Sequence, residues 1–105
     1  MYINFEGLDV LTEADADRLA AFMDARLADL GRKMNAVVNY DNFRLGPLAA
    51  DRYWEMVRHN QERYFASSTR YSTNAFYRRQ LGHRFARANL TQRIYSSFEE
   101  AKSHL

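Results

Sequence analysis

The chain has 105 residues, 47% of them hydrophobic, and a net charge of +2. That is the size of one domain with a modest core, too small to surround a deep substrate cavity as well. The apolar content argues against disorder, the lack of cysteine excludes disulfides and thiolate metal centres, and no apolar run approaches the ~18 residues of a membrane span.

Residues 2–6 alternate, with Tyr2, Asn4 and Glu6 on one face and Ile3 and Phe5 on the other, which predicts a short strand closed by Gly7. The same segment has no basic region and no long apolar stretch, so it is not a signal peptide, and a cytoplasmic location is the expectation. Thr12 opens a helix, with Asp15 three residues on as a variant of the capping box. The carboxylates of Glu13, Asp15 and Asp17 suit the positive end of the helix dipole. Leu19, Phe22, Met23, Leu27 and Leu30 recur at helical spacing and predict its buried stripe. Gly31 is the natural stop, because it adopts the left-handed conformation cheaply.

Met34–Tyr40 follows as a second strand, with Ala36-Val37-Val38 apolar on both faces as in an interior parallel strand. Asp41-Asn42 ends it with turn chemistry, and Gly46-Pro47 marks the next boundary. A second helix is expected over about Leu48–Phe65, with Ala50, Tyr53, Trp54, Val57 and Tyr64 as its stripe. Ser67–Ser72 reads as a third, weaker strand. Thr73 or Asn74 caps a third helix that carries Phe76, Leu81, Phe85 and Ala88, with Gly82 inside it and Asn89 as C-cap. Gln92–Tyr95 reads as a fourth strand, and Ser97-x-x-Glu100 is a second capping box opening the helix Phe98–Leu105. The order predicts a single α/β domain of four βα units, with a mainly parallel sheet and flanking helices.

The charge is unevenly spread. Residues 1–50 carry five basic and eight acidic side chains, whereas residues 51–105 carry ten basic and five acidic. From Arg63 through Phe98 there are seven arginines and no acid. Such a block suits an anionic partner. Arg78, Arg79, Arg84 and Arg87 fall on the third helix, with Arg79 and Arg84 directed away from the Phe76–Phe85 stripe. A solvated face, or one docked on acidic groups of another domain or subunit, accounts for them better than nucleic acid does. Arg70 is a sharper feature, since an arginine within a sheet needs a partner or an open edge.

In open parallel sheets ligands bind beyond the carboxyl ends of the strands. Here those ends carry Asn39-Tyr40-Asp41-Asn42, Ser72-Thr73-Asn74 and Ser96-Ser97. An anion near Thr73 and Asn74, helped by Arg70 or Arg78, is physically reasonable. Cap and turn preferences explain the same residues without any ligand. Asp41 stands where a general base or phosphoacceptor would, but no His or Lys lies nearby in sequence and no second acid accompanies it. His59, His83 and His104 are scattered and build no metal motif. No Gly-x-Gly-x-x-Gly, Walker loop or Gly-x-Ser-x-Gly is present.

Several stretches taken in order carry a resemblance. They are Asn4-Phe5-Glu6-Gly7-Leu8 with Thr12–Asp15, Leu30-Gly31-Arg32-Lys33, and Val37–Phe43. Met56-Val57-Arg58, Glu62-Arg63-Tyr64 and Thr69–Phe76 follow. The series resembles the C-terminal region of bacterial acyl-CoA:acetate/3-ketoacid CoA-transferases of the acetate/propionate type. It spans nearly the whole chain, and Asn-Tyr-Asp-x-Phe and Thr-Arg-Tyr-Ser-Thr are its most specific parts. The resemblance implies a non-catalytic C-terminal domain supporting assembly or the active-site cover of a transferase body. The catalytic glutamate would belong to that body, and Glu6 does not match its motif. Coenzyme A would be the substrate of the parent enzyme, with no cofactor in this chain. The partners implied are the rest of the transferase chain or its subunits, with a homo-oligomer also open, and no membrane. The βα layout is also similar to that of STAS-type modules, which bind partners and sometimes carry a regulatory phosphoserine. The ligand or interface candidates are Asp41, Asn42, Arg70, Thr73, Asn74, Arg78, Arg79 and Arg84; no catalytic or metal-binding residue is assigned.

Overall fold

A computed structural model describes residues 1–90 and 93–105. Their elements in chain order are β1 (Tyr2–Asn4), β2 (Asp9–Val10), α1 (Glu13–Ala28), β3 (Met34–Asn39), β4 (Arg44–Leu45), α2 (Ala50–Arg63), β5 (Phe65–Tyr71), α3 (Ala75–Arg87), β6 (Ile94–Tyr95) and α4 (Phe98–Ser103). Gln92, at the expected start of the last strand, lies outside the described residues.

Strands β1, β3, β5 and β6 form one sheet in that order, and every neighbouring pair is parallel. The small α/β domain with a parallel sheet and flanking helices is therefore as expected. Because the strands are laid down in sequence order, crossovers of one hand keep their helices on one face. Helices α1, α2 and α3 share a core with Ile3, Ala36, Val38 and Tyr40. The opposite face takes α4 alone, where Val37 and Tyr71 pack against Ala101, with Tyr95 and Phe98 beside them. Val37 and Val38 thus point to opposite cores, as an interior strand requires.

The ends of the helices follow their caps. Thr12 accepts from the Asp15 amide, and the Asp15 carboxylate accepts from the Thr12 amide, so both arms of the capping box form. Asn74, not Thr73, caps α3 by accepting from the Tyr77 amide at 2.9 Å. Ser97 accepts from the Glu100 amide at 3.1 Å to open α4. Gly31 and Asn89 both take positive φ just beyond helix ends, and Asn42 does so in the turn after β3.

Three expectations are corrected. Phe22, Leu30 and Phe76 are exposed, although helical spacing placed them in buried stripes. Of the expected stripe helix α1 does bury Met23 and Leu27, with Ala16 beside them, so the buried arc is narrower than the apolar spacing and leaves Phe22 outside it. Arg26 stacks over the exposed Phe22 ring, 4.7 Å from its centre. The second is a two-residue parallel ladder, β2 with β4, in stretches where the sequence pattern placed no element. Gly46 donates to the Val10 carbonyl at 2.8 Å, and a Cβ there would lie 2.9 Å from the Leu11 carbonyl oxygen. Glycine at 46 thus serves close backbone approach as well as marking a boundary. The third is at the element ends. The second helix begins at Ala50 instead of Leu48, and the third strand begins at Phe65 instead of Ser67.

Candidate functional site

Parallel order puts the carboxyl ends of β1, β3 and β5 side by side, and the polar residues beyond them meet there. Asp41 follows β3 and accepts three hydrogen bonds. They come from Ser72 Oγ at 2.9 Å, the Thr73 amide at 2.7 Å and Thr73 Oγ1 at 3.0 Å. Its own amide donates to Asn39 Oδ1 at 2.8 Å, and its carbonyl accepts from the Gly7 amide at 3.0 Å. Ser72 is fully buried and its Oγ also accepts from the Asn74 amide at 3.3 Å. Arg78 Nη1 donates to the Ser72 carbonyl at 2.8 Å. The cluster ties three strand ends to the first turn of α3.

Of the residues singled out in the sequence, Asp41, Thr73, Asn74 and Arg78 come together here, with Asn42 exposed in the adjoining turn. Arg79 is exposed on α3, one turn beyond Phe76. Arg84 is exposed at its residue level, yet its Nη1 donates to the Leu45 carbonyl at 3.2 Å and so braces the β2–β4 ladder. Arg70 sits elsewhere, buried under α3 in the main core, and offers nothing to the cluster. Ser72 and Gly7 are full members of the arrangement that residue-type reasoning left off the candidate set. The Ser-Thr-Asn run was visible at a strand end, but its pairing with Asp41 needed the β3–β5 neighbourhood.

Chemically, the Asp41 carboxylate holds one buried and one exposed hydroxyl as donors. Both of its oxygens accept hydrogen bonds from the protein, two on Oδ1 and one on Oδ2, so the carboxylate braces the end of β5 against the end of β3. Tyr77, in the next turn, donates its hydroxyl to the Phe43 carbonyl, and burial pushes its pKa up to about 12. Deeper in the same core the Tyr40 and Tyr53 hydroxyls meet at 2.5 Å, and burial raises Tyr53 well above the ordinary tyrosine value. Among the described residues no three His, Asp or Glu side chains gather as a metal site. No described helix is long and apolar enough to cross a membrane.

The exposed side of α3 has a different character. Phe76 is 68% exposed in its first turn, and Arg79, His83 and Arg87 follow it at helical spacing, all exposed. Arg78, Arg79, His83 and Arg93 border a shallow depression between α3 and β6. No acidic residue lies on α3 to neutralise them. No family model, no curated protein and no solved structure matches this chain.

Proposed function

We propose that the chain is the non-catalytic C-terminal domain of an acyl-CoA:carboxylate CoA-transferase, docking on the transferase body to support its assembly or cover its active site. The family in this proposal rests on the sequence resemblance alone. The observation that carries the docking role is the face of α3 described above. An exposed aromatic heading a run of arginines is the composition that interface centres favour, since both side chains gain much on burial. The committed hydrogen bonds of Asp41 favour a scaffold role for the strand ends, leaving acyl transfer to a glutamate on the larger body.

The test is acyl-CoA:acetate exchange by the protein from the complete reading frame. Phe76→Ala with Arg79→Glu is expected to lower exchange at least tenfold or to dissociate the assembly on size exclusion, while the domain itself stays folded by circular dichroism. Unchanged exchange and assembly, or a reading frame without a transferase body, overturns the proposal.

A second reading has one observation in its favour. The Thr73 residue is exposed and its hydroxyl donates to the Asp41 carboxylate just before the cap of α3, so negative charge added there would repel Asp41 and loosen the strand-end cluster. An independent STAS-like binding module regulated at that hydroxyl would use this geometry. It predicts that Thr73→Glu changes partner binding with no transferase body present; the docking reading predicts no binding by the isolated chain in either form.

A further inference from the structure

Arg70 is 2% exposed, on the side of β5 that faces the α1–α3 core. Its guanidinium carbon lies 4.5 Å from the centre of the Phe85 ring. Among the described residues no carboxylate pairs with it. Its Nε and Nη1 are buried and have no hydrogen-bond partner. Stacking on an aromatic ring offsets only part of the cost of taking a charge out of water.

The same guanidinium lines a cavity of about 20 Å³, enclosed by apolar side chains such as Ile3, Met23 and Val57. Two more polar side chains line it, and they too carry unpaired buried atoms: Asn60 Oδ1 and Gln61 Nε2. Three unpaired donor nitrogens and one unpaired acceptor oxygen therefore belong to residues that line this cavity. Turning the Asn60 amide over would present a donor there as well, because its two ends are nearly the same shape. A water molecule accepts about two hydrogen bonds and carries no charge. A halide accepts from every direction and balances the guanidinium. The volume admits one atom-sized guest and no phosphate or carboxylate. Gln61 is the only lining residue that is not buried, so it forms the mouth.

We propose that this cavity is a binding site for a single monatomic anion, chloride in ordinary solution, with Arg70 as its charge partner and Gln61 at its entrance. Crystals of the chain grown in bromide are expected to show an anomalous peak within hydrogen-bonding distance of Arg70 Nε or Nη1. The thermal midpoint at constant ionic strength is expected to rise and saturate as bromide replaces gluconate, which is too large to enter. Arg70→Met removes that response. Should Arg70→Met fail to fold, Gln61→Met keeps the charge and is expected to weaken the halide response at least fivefold. Ordered density without an anomalous signal identifies water and overturns the proposal. So does a midpoint indifferent to the identity of the anion, or a Gln61→Met response equal to that of the parent.

Discussion

The two faces of the sheet are built by different means. On one, three helices bury Phe43, Tyr53, Leu81 and Phe85 almost completely. Aromatic rings meet there edge to face, with Phe85 4.8 Å from Trp54 and 5.9 Å from Tyr40 between centres. On the other, the six residues of α4 cover only part of the sheet, and side-chain hydrogen bonds span the rest. Asn39 Nδ2 donates to Tyr2 Oη and to Asn4 Oδ1, both at 3.1 Å, and the Tyr2 and Tyr71 hydroxyls meet at 3.1 Å. Ser67 donates to Asn35 at 2.8 Å. Parallel sheets ordinarily need apolar cover on both sides. Here a polar lattice supplements the small apolar cluster under α4, so one face is held mainly by area removed from water and the other by a smaller area together with directional bonds.

Substitutions should separate the two. Phe85→Ala on the thick face is expected to cost about 3–5 kcal/mol in urea unfolding, since it opens a cavity among rings and strips the cover from Arg70. A loss below 1 kcal/mol (about a third of the smallest value expected) would show that this face does not dominate. Asp41→Ala, at the rim where both faces end, removes the acceptor of three donors and is expected to cost about 2 kcal/mol by the same measurement. Thr69→Val is the thin-face counterpart. It deletes the hydroxyl that donates to the Ala101 carbonyl at 2.8 Å. About 1 kcal/mol is expected, with hydrogen exchange faster in α4 and unchanged in α1.

The smallest effect is an acid one, confined to the helical side. Asp24 is held below its ordinary value of 3.8, first by the Tyr64 hydroxyl and then by His59. A depressed carboxylate lends stability that is complete above the unfolded value and lost as pH falls through the folded one. Stability measured from pH 5 down to pH 2 (about two units below the unfolded value) should therefore fall less steeply in Tyr64→Phe than in the parent.

Local rules made the element order readable. Thr12 with Asp15, and Ser97 with Glu100, announce their helices because a cap is a contact between near neighbours. Gly31 and Asn89 mark helix ends for the same reason. What escaped depends on distance along the chain. The β2–β4 ladder has two residues a side and no periodicity to find, and the Asp9–Arg44 pair beside it, with two bonds of 2.7 Å, joins residues 35 positions apart. Phe22 and Phe76 were misplaced because spacing gives a helix's apolar arc without saying how wide the buried part is. The Asp41–Ser72–Thr73 contact joins residues 31 and 32 positions apart. It follows only once β3 and β5 are known to be neighbours. Arg70 drew notice as a sheet arginine, but its depth depends on α3 lying above it.

Strand order has a consequence for how the chain assembles during synthesis. With β1, β3, β5 and β6 laid edge to edge in the order they are made, each arriving unit adds to the outer margin of a finished one. No strand has to be inserted between two already paired. The growing margin is exposed to wrong partners at every stage, yet its last occupant, β6, is only two residues long. Such a short final edge gives a neighbouring molecule little to zip onto, so the same order that eases vectorial folding also ends in a blunt margin that resists sheet-to-sheet aggregation.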